Sequence, residues 1–541
     1  MNWLPTLRDQ LPLLLVLSPV IGFLVTYAAS TTERDLTRYL AISNCFCSLL
    51  IFGGIAWQFE SQLSEDTAAL RDWEQGDSKS DHVTRSIDAA HEQDDRRRIE
   101  RLRYQWFAID GTNLWSTFVL IVLTGLVIWQ TETNVGNQSE LIPIVLLFES
   151  ASVAALTAYD LRAFLLASGV SALLMSLMIG RWGGPDRRGL AVRFLFVQVC
   201  GGSLVMLGFA MLIVAVPWMK LDVSTKLSPI SWNIATIVFE VQKWTSRNEL
   251  AFQYQNVVFP WMLFVLSLGF AIQFGLFPFH SWPVSVLRET PSGIAVLCLA
   301  GILPISGIGW LRFVVPLAPE LLAAFDRLIL IPSLGGAVWG ALRAVAPGEP
   351  RTRGAFVFVS LSGVSLLGCY SFTRIGMSGA WLMVQQVILA FCAIMFVFGL
   401  PAIWNVAGSS SETSARSGYA TRTLLLLLCV PALGLFASQC MILSELLRES
   451  LLLVAGVFIV VALNGSTAFS LLNRHFTDEA AGNSIGNNSM TSKTHTMTWP
   501  VLIAMLLTAV ACLAPTCMLH QCEPEFDRVF RRFEQPAVSQ V

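Results

Sequence analysis

A chain of 541 residues that is 54% apolar, 13% charged and of mean hydropathy +0.61 is not an ordinary soluble protein, which carries about twice that share of charge. The formal net charge of −2 says nothing about partners. The apolar residues fall in blocks of roughly 18–25, each long enough to cross the hydrocarbon layer as a helix. Lipid offers an unpaired peptide group no partner, so helices are the spanning form this pattern allows.

In chain order, spans are predicted near 11–29 and 40–58, then 113–130, 140–158, 163–180, 190–216, 255–279 and 292–316. Further spans follow near 326–343, 354–371, 378–403, 421–438, 447–472 and 498–518. The fold class is therefore all-α, a polytopic membrane protein of about fourteen helices. The first block ends in "TYAAS", which has the look of a cleavage site, but the many later spans favour a first membrane helix.

An even count places both termini on one side. Arg34, Arg38, Arg181, Arg187, Arg188, Arg343, Arg351, Arg353, Arg416 and Arg422 share the other face, which the positive-inside rule makes cytoplasmic. Lys220, Lys226, Lys243 and Arg247 sit on the opposite face.

Four regions are expected. Residues 1–58 hold N-terminal membrane helices, and 59–105 form a densely charged extramembrane loop, in part helical. Residues 106–475 form the core, interrupted by a polar loop at 217–254 that contains Glu240 to Trp244. Residues 476–541 hold a linker, a last membrane helix and a tail, the linker composition beginning at 473.

Most of the eleven cysteines, such as Cys200, Cys298 and Cys392, stand singly inside apolar blocks, where the thiol acts as a small apolar group. Cys517 and Cys522 give only a weak metal spacing. The six histidines, at 82, 91, 280, 475, 495 and 520, lack paired ligand spacing. No glycine-rich phosphate loop and no Cys-x-x-Cys cluster is present. No cofactor or metal site of the chain's own is expected, and neither a self-contained redox enzyme nor an ATP-driven pump fits.

What remains are polar groups at membrane depth, where an ionisable residue is a functional hypothesis by default. Glu149 lies mid-span in "LIPIVLLFESASVAAL". It is either a proton carrier or a neutral carboxyl hydrogen-bonded to a neighbouring helix. In "GFAIQFGLFPFHSWPVSVLRETPSG", Pro278 and Pro283 are expected to break a helix that carries Gln273 and His280. That joint is either part of a hydrated ion path or a helix end, with His280 an interfacial anchor beside Trp282.

The stretch from Gly269 to Phe313, "GFAIQFGLFPFHSWPVSVLRETPSGIAVLCLAGILPISGIGWLRF", resembles the signature of the antiporter-like, proton-translocating membrane subunits of respiratory complex I. It is also similar to their relatives in multi-subunit sodium/proton antiporters. "YQWFAIDGTNLWSTFVL", with Asp110 and Gly111, "AYDLRAFLLASGVSALLMSLMIGRWGGPDRR" and "RFLFVQVCGGSLVMLGF" are similar to other family segments in the same order. The Asp-Gly loop and the Trp-Gly-Gly turn are closer to the M-type, or fourth-chain, subunit.

The resemblance implies a membrane-arm subunit of an NADH-quinone oxidoreductase, in the bacterial inner membrane. Its partners would be other membrane-arm subunits and lipid, with no nucleic acid. Quinone and NADH would be met only through those partners, and any enzymatic activity would belong to the assembly. The family's carrier positions fall on residues that cannot titrate. The glutamate falls at Gly169, the bent-helix lysine at Gln273, a further lysine near Ile305, and two histidines at Gly363 and near Gln386. Glu445 lies one residue out of register with the family's late acidic or basic residue. Glutamine cannot exchange a proton near neutral pH, although it can hold a hydrogen-bonded chain. Glu149, Gln273, His280 and Glu445 are therefore the proton-path candidates. The alternatives are a non-pumping structural paralogue, or a subunit of a cation/proton antiporter or an ion-coupled carbon-uptake complex.

Overall fold

The structure, a computed structural model, describes residues 7–30, 34–76, 106–131, 138–218, 232–234, 236–238, 258–317, 326–398, 435–485 and 515–534. Among these the chain is helical, and its only β-type contacts are the isolated bridges Phe107–Ala158 and Asp160–Asn233. The first half contains α1 (Leu7–Ser30), α2 (Arg34–Gly76), α3 (Leu114–Trp129), α4 (Gln138–Thr157), α5 (Leu161–Trp182) and α6 (Arg187–Trp218). Then come α7 (Phe259–Phe274), α8 (Ser281–Glu289) and a long helix, α9 (Ser292–Val314). The remainder is α10 (Asp326–Val345), α11 (Pro350–Tyr370), α12 (Arg374–Phe398), α13 (Phe436–Glu449), α14 (Leu451–Ile485) and α15 (Pro515–Glu534).

Eight described helices are long and apolar enough to cross a membrane, and four shorter apolar helices accompany them. The predicted spans near 421–438 and 498–518 lie mostly outside the described residues. The predicted span at 447–472 runs across a break. Ser450 is extended, with φ −162° and ψ 126°, so α13 stops at Glu449 and α14 starts at Leu451. Two polar stretches are helical over part of their length: α2 continues into the charged segment as far as Gly76, and α14 passes residue 475 to Ile485. The rest of the charged segment and Glu240 to Trp244 lie outside the described residues.

The helix α9 is the central element and touches α3, α4, α5, α7 and α12. Its residues Ile294–Leu303 are almost wholly buried. Pro304 lacks the N–H that would bond the carbonyl of Ala300, and a wide π-type turn, Cys298–Ile302, directly precedes it. A second π turn spans Trp310–Val314.

Capping is read from short-range chemistry. Asp160 precedes α5, and its side chain accepts from the amides of Arg162 and Ala163, leaving fewer first-turn donors orphaned. Burial works against the ionised form of Asp160. The hydrogen bonds from the Arg162 side chain and from those two amides outweigh it and hold the carboxyl below its usual range.

Helices α10 and α11 meet backbone to backbone. A Cβ on Gly340 would lie 2.5 Å from the Ser360 nitrogen and 2.8 Å from the Phe356 oxygen. Gly336 and Gly340 form a small-residue face one turn long, the spacing that lets membrane helices approach closely. The last helix, α15, is amphipathic. It buries Met518, Cys522 and Phe526, spaced four residues apart on one face, while Arg374 of α12 pairs with Glu523 and Asp527.

Candidate functional site

The broken helix is present, and glycine makes the break. Gly275 ends α7 in the left-handed region at φ 77°, which glycine adopts without steric cost. A side chain there would also collide with Pro283 and with the Trp282 indole, each within 2.9 Å of the added carbon. The chain then bonds backwards as a Schellman-type cap, with Gly275 N donating to Ala271 O at 3.1 Å and Leu276 N to Ala271 O at 3.0 Å. Pro278 follows in the link, preceded by a cis peptide bond from Phe277. Pro283 is the third residue of α8, a first-turn position where its missing N–H costs nothing. Both prolines therefore lie on the C-terminal side of the turn that Gly275 makes.

The carbonyls released by the break are met by protein. Ile272 O accepts from Trp282 Nε1 at 3.1 Å, and Gln273 O accepts from Gln198 Nε2 at 3.3 Å. Trp282 is 3% exposed, so it serves this bond rather than a membrane–water interface. Gln273 packs against Gly201 and Gly202 of α6. A Cβ on Gly201 would lie 2.6 Å from Gln273 Cγ, so the glycines make the space that the long side chain fills. His280 precedes α8, half-buried, stacked on Phe277 with centroids 5.4 Å apart and with the Phe356 ring tilted against it at 6.4 Å.

Beside the joint is a cavity of about 510 Å³, walled by α7, the 276–279 link, α9, α10, α11 and α12. Among the described residues, no Asp, Glu, Lys, Arg or His lines it. Its polar groups include Ser267, Ser306, Ser365 and Gln385.

The other candidates occupy separate places. Glu149 is fully buried in α4. Its Oε2 accepts from the Cys45 thiol of α2 at 3.8 Å, and its Oε1 has no partner among the described residues. Glu445 of α13 is 2% exposed, with Arg448 Nη1 3.4 Å from Oε2 and Oε1 unpartnered. Gln386 of α12 accepts from Ser438 Oγ at 2.8 Å. Ser438 and Glu445 are seven residues apart, two turns along one face of α13, so Gln386 and Glu445 border the same α12–α13 seam. No hydrogen bond or ion pair among the described residues joins Glu149, His280 and Glu445 to one another.

The remaining positions carry no titratable group. Gly169 is exposed on α5, and a Cβ there meets nothing within 4 Å. Ile305 is 4% exposed in the apolar core of α9. At Gly363 an added Cβ would overlap Ala337 N and would lie 2.7 Å from Ser333 O and 2.9 Å from Gly336 C. Those are backbone atoms of α10, so the α10–α11 crossing leaves no room for any side chain at this position.

One buried charged cluster was not foreseen from the residues. Arg312 Nη2 lies 2.7 Å from Asp110 Oδ2, and the two side chains are 7% and 5% exposed. The pair is close but off the N–H line, so it is an ion pair without a hydrogen bond. Tyr159 OH donates to the same Oδ2 at 2.7 Å, and the Arg312 guanidinium lies 4.9 Å from the Tyr159 ring centroid. Arg312 Nη1 donates to the carbonyls of Leu156 and Ala158, while Asp110 Oδ1 accepts from Thr112 and Asn113. The cluster ties the second π turn of α9 to the turn before α3 and to the end of α4. Its signal was available as "IDGT" and "WLRF", two motifs whose charges are opposite and otherwise uncompensated, but nothing local joins them.

Comparison with known proteins agrees with this architecture. The family model described as NADH:quinone oxidoreductase/Mrp antiporter, transmembrane, matches residues 158–448, more than half of the chain. An NAD(P)H-quinone oxidoreductase chain 4 of Synechococcus elongatus is 24% identical over 358 residues, covering 63% of this chain and 61% of the relative. An NADH-quinone oxidoreductase subunit M of Rickettsia bellii is 27% identical over 306 residues, covering 54% and 57%. The chain thus spans somewhat over half the length of these relatives.

Among solved structures, a chain of the archaeal membrane-bound sulfane sulfur reductase superposes with a TM-score of 0.74 at 14% identity, covering 96% of this chain and 99% of that one. A chain of respiratory complex I from Thermus thermophilus gives 0.66 at 17% identity, with the same coverage. A chain of the Mrp complex of Dietzia sp. gives 0.63 at 13%, covering 98% of each. The described helices, the glycine-broken joint and the family match together make this a multi-pass membrane protein that belongs to the NADH:quinone oxidoreductase/Mrp antiporter family of transmembrane subunits.

Proposed function

We propose that the chain is a membrane-arm subunit of a complex-I-type NADH-quinone oxidoreductase, lodged in a bacterial inner membrane among other membrane-arm subunits. It takes part in proton translocation coupled to electron transport and holds no redox group of its own. NADH and quinone reach it only through partners. The supporting observation is the retention of the broken-helix scaffold, with the Ile272 and Gln273 carbonyls bonded by Trp282 and Gln198, inside a family named for quinone oxidoreductases and antiporters. Glu149, His280 and Glu445 are the groups in this chain that can exchange protons where the usual Glu and Lys carriers are substituted.

A second reading, a structural paralogue that no longer pumps, is favoured by a specific feature. Gly363 lies between two helix backbones and Gly169 faces outward, so neither carrier position holds a side chain that could carry a proton. Purification of the tagged chain from its native membrane separates the two. Co-purifying quinone reductase subunits and a proton flux that falls in a Glu149→Gln, His280→Gln, Glu445→Gln triple variant support the pumping reading. Normal assembly with unchanged flux in that variant sinks it. A partner set of cation/proton antiporter or carbon-uptake components would move the chain to those assemblies.

A further inference from the structure

We infer that the cavity beside the glycine-broken joint is a binding site for one lipid acyl chain, entered from the bilayer between α7 and α10. The ligand is a neutral hydrocarbon chain and no proton is involved, so the site stands whether or not the chain pumps.

Size and access come first. A volume of about 510 Å³ falls within the range of about 300–1,000 Å³ typical of small-molecule sites, in an interior where voids larger than a water are few. Helix α7 packs on α6 and α9, and α10 packs on α11 and α14, but among the described residues α7 and α10 share no packed seam. Pro278 of the link and Ile331 of α10 line the cavity and are exposed, Ile331 at 66%. In a membrane such exposed apolar groups face acyl chains. Other lining residues belong to the core: Ser306 of α9 and Trp381 and Gln385 of α12 are all buried. The space therefore runs from the lipid-facing surface to the centre of the bundle.

The chemistry of the wall selects the ligand. With no ionisable side chain among its described residues, the lining has nothing to hold a phosphate or another charged group. Its polar groups already bond within the protein. Ser306 Oγ donates to Ile302 O at 3.4 Å, Ser365 Oγ donates to Ser362 O at 2.8 Å, and Ser267 Oγ accepts from Trp310 Nε1 at 3.2 Å. Gln385 Oε1 accepts from Ser116 Oγ at 3.0 Å. A ligand need bring no hydrogen-bonding group of its own, which suits the acyl part of a lipid and leaves its headgroup outside. Leaving one hydrocarbon surrounding for another gains no hydrophobic energy, so binding rests on van der Waals fit. That fit is to both sides of the joint. A Cβ on Gly335 of α10 would lie 2.8 Å from the Phe277 ring, so Phe277 sits in a glycine notch of α10 while also lining the cavity. A chain packed on Phe277 braces the link against α10.

The test uses the full chain in nanodiscs of phosphatidylethanolamine and phosphatidylglycerol, a small fraction of which carries a photoreactive diazirine midway along one acyl chain. After irradiation, peptide mass spectra should show adducts on the buried, cavity-lining segments Pro304–Ile308 and Trp381–Gln385. Ala271→Phe, which puts a bulky ring on the cavity wall, should reduce those adducts severalfold. Trp261→Phe, on the exposed face of α7 away from the cavity, should leave them unchanged. Native mass spectra after exchange into mild detergent should show one phospholipid fewer on Ala271→Phe than on the wild type.

Adducts confined to the outer face of α7, with none on the two buried segments, would overturn the inference. So would equal adducts in the wild type and Ala271→Phe. An isoprenoid quinone added at the same fraction as the photoreactive lipid should not compete; loss of the buried adducts in its presence would give the site to an isoprenoid tail and overturn the acyl assignment. If Ala271→Phe does not fold, Leu268→Trp on the same wall decides by the same comparison.

Discussion

Gly363 gives the sharpest test of how this chain packs, because a second glycine of the same helix serves as its control. At Gly354 an added Cβ meets nothing within 4 Å, whereas at Gly363 it meets three backbone atoms of α10 within 2.9 Å. Replacing glycine by alanine inside a helix is worth about 0.5–1 kcal/mol of stabilisation through backbone entropy, and both variants gain it. Gly363→Ala must also force α10 and α11 apart, and overpacking of this kind costs about 1–3 kcal/mol. Backbone atoms cannot step aside as a flexible side chain does, so the upper part of that range applies.

The expected result is that Gly354→Ala is neutral to stabilising while Gly363→Ala is destabilised by about 1–2 kcal/mol net, a gap of about 2–3 kcal/mol between the two. Thermal unfolding of the purified chain in one detergent, followed by a thiol-reactive dye on the buried cysteines, reads that gap. Gly363→His, which reinstates the family's residue type, should be worse than Gly363→Ala and should not assemble. Equal unfolding midpoints for Gly354→Ala and Gly363→Ala would refute the close crossing. With it would go the explanation of why no histidine stands there.

Further outcomes follow from other contacts. Arg312→Ala leaves Asp110 buried without its cation and should cost about 3–5 kcal/mol, whereas an Arg312→Met, Asp110→Leu double variant should recover much of it in the same unfolding assay. Trp282→Phe keeps the packing against Phe194 but leaves Ile272 O without its indole donor. It should cost about 1–3 kcal/mol, the penalty of an unsatisfied buried acceptor, reduced in so far as the amide of Gly275 still reaches that oxygen. Asp160→Ala removes the cap of α5 and should lower stability by about 1 kcal/mol, with Asp160→Asn retaining most of it. Gly111→Ala would overlap the Gln521 carbonyl of α15. Limited proteolysis should then cut within Pro515–Glu534 faster than in the wild type.

Local physics made much of the fold legible. Apolar block length announces membrane helices because lipid permits no unpaired peptide, and the positions through α11 follow the predicted blocks. The joint was also legible as a break, but its cause was assigned to the prolines. Gly275 makes it, because the left-handed turn and the close approach of Trp282 and Pro283 exclude a Cβ. The stop at Ser450, between two apolar runs, left no clear mark in composition.

By itself the sequence determined which segments are helices and which residue types stand at depth. Helix length, capping and charge are properties of a few neighbouring residues. Only the tertiary structure decided what those residues face. It puts Gly363 between two backbones, turns Gly169 outward, sets Gln386 on Ser438 and Glu149 on Cys45, and joins Asp110 to Arg312, 202 positions further along the chain. Those outcomes depend on how helices distant in sequence rotate and cross, and that is settled by the fit of whole surfaces, which no local stretch encodes.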